Sequence, residues 1–171
     1  MYNIYDSFLN DTDFKIIKDT MLSHSFPWFY RDSKVSESNR LAGNEIYYDF
    51  QLTHLFYAYN MPQSQFLPML DPIINKLDIS AIYRIKSNLT FRSENLIKFP
   101  FHVDEKRFTG KTAVFYINTN DGYTELESGE QILSIENRLL TFDAPNKHRG
   151  TTHTDSKFRA VINFNYYTFD D

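Results

Sequence analysis

The chain has 171 residues, with 18 Lys and Arg against 22 Asp and Glu for a net charge of −4, and is 42% hydrophobic and 17% aromatic. That length and apolar content predict one domain with a real core and exclude a disordered chain. Zero cysteine excludes a disulfide framework, Cys-ligated zinc and thiol catalysis, the acidic balance argues against general nucleic-acid binding, and neither a signal-peptide pattern nor a membrane-length apolar run is present.

Along the chain, helices are predicted early and strands late. Asp11 or Thr12 caps a helix over roughly 13–23, in which Phe14, Ile17 and Met21 form the apolar stripe. The polar stretch 32–44 has no clear period and reads as a surface loop or as a lid over a site. A second helical pattern over 64–77 (Phe66, Leu67, Leu70, Ile73, Ile74, Leu77) is interrupted by Pro68 and Pro72. Strand-like runs follow at Ile82–Leu89, Ala113–Asn118, Arg138–Asp143 and Phe158–Tyr166, with Gly, Asn and Asp turns between them. This predicts a mainly β sandwich or jelly roll, with the helices burying their apolar faces against one sheet. Arg84, Lys86, Arg92, Lys98, Lys106, Arg107 and Lys111 fall in one third of the chain, a local basic patch against the acidic whole; Arg84 and Lys86 read as a solvated strand face.

The residues with the most chemistry are His102, Asp104, His148 and Arg159. On a strand, side chains two apart leave the same face, so His102 and Asp104 point together. A histidine from a distant segment completes a two-histidine, one-carboxylate triangle that leaves metal positions open. The doublet alone is weak, since about 0.4 His-x-Asp pairs arise by chance in a chain of this composition. A second copy, His153-Thr154-Asp155, has no histidine after it and reads as coincidence. Strand alternation puts Arg159, Val161 and Asn163 on one face of the last run, where a guanidinium needs a partner and matches a carboxylate bidentately. His148 precedes Arg159 by 11 residues and His153 by 6. The longer gap leaves room to end one strand and begin the next, so His148 is the preferred third ligand and His153 the fallback. His24 and His54 read as structural or surface residues.

This set resembles the iron(II)- and 2-oxoglutarate-dependent oxygenases, in particular the small prolyl-4-hydroxylase-like members, including those encoded by phages. The resemblance covers roughly residues 80–169. It implies a double-stranded β-helix core there, with residues 1–79 as helical support and a lid at about 32–45. It implies iron(II) on His102, Asp104 and His148, and 2-oxoglutarate held by Arg159 and by Tyr116, which lies two residues before Asn118. Asn163 is placed to add a polar contact, and Asn88 resembles an asparagine on the proximal carboxylate in some relatives. The family's usual glycine pair after the Tyr-x-Asn strand is reduced to Gly122-Tyr123-Thr124, which bears on loop geometry. The implied reaction uses dioxygen, converts 2-oxoglutarate to succinate and hydroxylates an unactivated C–H bond. Related halogenases have a small residue where this chain has Asp104. The substrate is left open among a protein side chain, a nucleobase and a small metabolite, with a peptide residue preferred by analogy. The location is a reducing cytoplasm, the host's if the chain is phage-encoded. The alternatives are a cupin-like enzyme, or a catalytically silent barrel that binds carbohydrate or protein.

Overall fold

The computed structural model describes residues 1–34 and 48–169. Its elements in chain order are β1 (Tyr2–Tyr5), α1 (Asp11–Met21), β2 (Phe29–Arg31), β3 (Gln51–Ala58), β4 (Met61–Pro62), a 3-10 turn (Leu67–Leu70), α2 (Asp71–Lys76), β5 (Ile79–Phe91), β6 (Lys111–Tyr116), β7 (Tyr123–Leu126), β8 (Gln131–Leu133), β9 (Leu139–Asp143), β10 (His148–Gly150) and β11 (Phe158–Thr168). Two sheets form, an eight-stranded one in the order β1-β9-β6-β11-β5-β3-β2 with β4 on β3, and a three-stranded one in the order β10-β7-β8. Every strand pair is antiparallel. The expected mainly β jelly roll is thus the observed fold. Among the described residues, no helix is long and apolar enough to cross a membrane.

The centre of the large sheet is buried on both faces, because its central strands send apolar side chains to each side. On β11, Ala160, Ile162, Phe164 and Tyr166 join Ala113 and Phe115 of β6 beneath Phe14, Ile17 and Met21 of α1. The opposite face of β6, β9 and β11 supplies Val114, Tyr116, Leu140, Phe142 and Val161, which meet Leu126 of β7 and Ile132 of β8 between the sheets. This second, smaller interior also holds the candidate site residues.

The N-terminal part supplies strands as well as helices. β1 pairs with β9, β2 and β4 pair with β3, and β3 pairs with β5, so the segment before residue 80 completes both flanks of the large sheet. Helix α1 begins two residues earlier than the sequence suggests. Asn10 is its cap, accepting from the Asp13 backbone N–H at 3.0 Å while its own amide donates to the Asp13 carboxylate at 2.7 Å. The second predicted helix shortens to a 3-10 turn and a six-residue helix, with Pro68 and Pro72 at their first turns. His54 is a satisfied core histidine. Its Nδ1 lies 2.7 Å from the Pro27 carbonyl and its Nε2 2.8 Å from the Ser64 hydroxyl, among Phe26, Phe56 and Phe66. Residues 35–44 of the predicted loop or lid lie outside the described residues.

Phe115 is fully buried and meets Phe8 and Phe14 edge-on at 6.3 and 6.0 Å, joining the N-terminal segment to the central sheet. Phe115→Ala is expected to destabilise the domain by about 3–5 kcal/mol, measured by urea unfolding. A loss below about 1 kcal/mol would show that this face is not the main core.

Candidate metal centre

The two histidines of the triad are set side by side by the backbone. His102 and His148 form an isolated antiparallel bridge, each N–H donating to the other's carbonyl at 2.9 Å. Directly opposed residues in such a bridge project to the same face, and here the ring centroids stand 4.7 Å apart. Asp104 lies on the irregular segment after His102. Its Oδ1 is 4.0 Å from His102 Nε2 and 3.8 Å from His148 Nε2, and one ligand atom from each residue falls within a 4.8 Å span.

The protonation states suit a metal. The Pro100 carbonyl, 3.2 Å from His102 Nδ1, can only accept, so Nδ1 is the donor to it and Nε2 is the ring nitrogen nearest Asp104. Burial, with the charge of neighbouring His102, holds His148 below the ordinary histidine value against the pull of Asp104. Burial also opposes ionisation of Asp104, but the charges of His148 and Arg84 and a hydrogen bond from Asn165 outweigh it, leaving the carboxyl below its usual range. Two imidazoles and one carboxylate on one side of a point form a facial donor set with open positions opposite.

Arg159 occupies the same interior, with its side chain threaded between the sheets. It is 6% exposed and, among the described residues, no carboxylate pairs with it. Its Nε donates to the Ser134 hydroxyl at 2.7 Å and Nη2 to Thr124 Oγ1 at 3.3 Å. The Tyr116 hydroxyl donates to the same Thr124 oxygen at 2.8 Å, and the guanidinium stands 5.7 Å from the Tyr116 ring centre. Tyr116 and Arg159 are therefore brought together, with Thr124 as the shared acceptor. Burial pulls the guanidinium below its ordinary value, the signature of a charge lacking its counter-charge.

The Tyr-x-Asn pattern has a structural reason. Asn118 donates to the Phe158 carbonyl at 2.8 Å and accepts from the Ala160 N–H at 2.9 Å, clamping the backbone on both sides of Arg159. The single glycine after that strand also matters. A Cβ on Gly122 would stand 2.9 Å from Arg159 Cδ and 2.8 Å from Asn120 Oδ1, so the arginine's path requires the glycine.

Asn163 and Asn88 share the interior face but do not touch Arg159. Asn163 opposes Lys86 and Val114, and Asn88 opposes Val161. The Asn88 side-chain oxygen and the neighbouring Thr90 hydroxyl are buried without partners, and Thr90 faces Arg159 in register. The polar contact on the metal triad comes instead from Asn165, which sequence reasoning passed over. Its amide donates to Asp104 Oδ2 at 2.9 Å and Thr112 Oγ1 at 3.1 Å, and its oxygen accepts from Arg84 Nε at 3.2 Å. Arg84 also approaches Asp104 at 3.7 Å, so it faces the site and not solvent. The period-2 signal that chose Asn163 extends one step further to Asn165. His153, the fallback ligand, is fully buried with both ring nitrogens unpartnered and is not part of the triad cluster.

No family model and no curated protein matches the sequence. Solved structures match it at the level of fold. A prolyl hydroxylase from Trichoplax adhaerens, in complex with a hypoxia-inducible-factor oxygen degradation domain peptide, is 14% identical with a TM-score of 0.65, covering 96% of this chain and 83% of that one. A Pseudomonas putida prolyl-4-hydroxylase is 12% identical with a TM-score of 0.62, covering 98% and 92%. A non-haem α-ketoglutarate-dependent epimerase of nogalamycin biosynthesis is 10% identical with a TM-score of 0.61, covering 98% and 76%. The chain thus has the jelly-roll fold of these enzymes.

Burial holds His148, His153 and His54 below the ordinary value of 6.5. The unfolded chain takes up these protons first, so stability is complete above about pH 6.5 and declines as pH falls below it, by up to about 2 kcal/mol per histidine still neutral at pH 5. The urea midpoint is expected to be lower at pH 5 than at pH 7.5, and His153→Gln should reduce the difference. Equal midpoints would contradict the buried neutral state.

Proposed function

We propose that this protein is an iron(II)- and 2-oxoglutarate-dependent oxygenase that hydroxylates an unactivated C–H bond. The observation that carries the reading is the pairing, inside one jelly roll, of a facial His102–Asp104–His148 donor set with a buried Arg159 that has no acid partner among the described residues. A dicarboxylic 2-oxo acid answers both, because one end suits the metal and the other suits the guanidinium. The prolyl hydroxylases among the structural neighbours support this reading. The epimerase has the same fold with another outcome, and the presence of Asp104 favours hydroxylation over halogenation only.

When bound, the iron supplies redox chemistry with dioxygen, coupled to loss of carbon dioxide from 2-oxoglutarate to give succinate. The chain does the rest. His102, Asp104 and His148 hold the ion from one side. Asn165 and Arg84 fix the Asp104 carboxylate so that one oxygen faces the imidazoles. Arg159, aimed by the Asn118 clamp and steadied by Ser134 and Thr124, sets the direction of the co-substrate. Tyr116, whose phenol burial keeps protonated, donates to the Thr124 oxygen that Arg159 also uses and so steadies that pair. Val114, Leu126, Phe142 and Val161 line the interior and exclude water. The cysteine-free chain suits a reducing cytoplasm, where ferrous iron persists.

With iron(II), 2-oxoglutarate and dioxygen, the protein is expected to form succinate slowly even without a primary substrate. Arg159→Ala should raise the 2-oxoglutarate concentration required by roughly a hundredfold, the worth of one to two charge-assisted hydrogen bonds. Gly122→Ala, which displaces the arginine, should act in the same direction. Succinate release measured against 2-oxoglutarate concentration checks both, and an unchanged Arg159→Ala curve would remove the arginine from co-substrate binding.

A further inference from the structure

The interior face of β5 carries more positive charge than the metal triad and the arginine pocket use. Arg84 is engaged with Asp104 and Asn165. Lys86, the next residue on the same face, is half-buried, and among the described residues its ammonium has no hydrogen bond or ion pair. Its cross-strand neighbours are Asn163 on β11 and Leu55 on β3, and neither can neutralise it. Burial, with Arg84 and Arg31 pushing the same way against Asp104, lowers Lys86 to about 8, so it remains mostly a cation at neutral pH. A chain of net charge −4 therefore places Arg84 and Lys86 beside its candidate metal centre, and keeping Lys86 there desolvated and unpaired costs stability.

Resting on the oxygenase reading above, we propose that the primary substrate carries an anionic group, a carboxylate or a phosphate, that docks on Lys86 beside the metal triad. The group is not the co-substrate's own far carboxylate. Arg159 opposes Thr90, four residues from Lys86 along β5, a separation of roughly 13 Å along the strand, so the two cations serve different anions. Lys86 lies one step from Arg84, whose guanidinium touches Asp104, which puts the docked anion next to the reacting end of the site. An anchored anion would then present a neighbouring C–H bond to the metal.

Titration of the full chain with methylphosphonate and with acetate, followed by backbone amide NMR shifts, tests this without iron or 2-oxoglutarate. Saturable shifts around Lys86 are expected for at least one probe. The stronger probe distinguishes a phosphate-bearing substrate from a carboxylate-bearing one. Lys86→Gln should weaken binding tenfold or more, and Arg159→Gln should retain it. No saturable shifts around Lys86, or binding that depends on Arg159 and not on Lys86, would overturn the proposal. The urea midpoint of Lys86→Met supplies a second arm. Removal of an unpaired desolvated charge should raise it, and a fall would mark Lys86 as structural and overturn the proposal. Because neither arm requires metal or co-substrate, failure here and failure of the oxygenase reading are separately visible.

Discussion

A guanidinium buried between two sheets, with no carboxylate among the described residues to meet it, is the constraint on which the site depends. Isolated charge in an interior costs several kcal/mol, and the fold offsets part of that for Arg159 through the hydroxyls of Ser134 and Thr124 and the face of Tyr116. The remaining deficit is what makes the pocket selective for an acid. Gly122 gives way to the arginine's methylenes, and Asn118 fixes its backbone. A surface arginine would need none of these provisions.

The metal triad is built from a different device, backbone register. The reciprocal bonds between His102 and His148 join a segment that is otherwise irregular to the edge of the small sheet. β7 then holds β10, with Leu126 opposite His148, and Phe142 meets the His148 ring edge-on at 4.9 Å. β11 links the two centres. Its interior face carries Arg159 at one end and Asn165, on Asp104, at the other, so a single strand sets the distance between the buried arginine and the His102–Asp104–His148 cluster.

Much of this was legible in the sequence. The order of His102, Asp104, His148 and Arg159 was read through the resemblance, while the alternation of β11 required only strand geometry. The strand expected at His102 and Asp104 is a single bridge followed by an irregular segment. Other parts depended on what lies far away along the chain. β1 pairs with β9 across more than a hundred residues, and no local pattern announces that partnership. Arg84 and Lys86 read as solvated because alternation says which residues share a face, not which face is inward, and this sheet is covered on both. Asn165 shares the face of Asn163, but its contact with Asp104 depends on the path of the irregular segment between Asp104 and β6. The second helix broke where Pro68 and Pro72 already said it would weaken.

The most direct measurement is anaerobic addition of iron(II) and 2-oxoglutarate to the purified protein, read by visible absorption. The account predicts a metal-to-ligand charge-transfer band that saturates with 2-oxoglutarate, disappears in His148→Ala and weakens in Arg159→Ala. A folded, iron-loaded protein that develops no band would contradict it, and would leave the jelly roll as a scaffold for other chemistry.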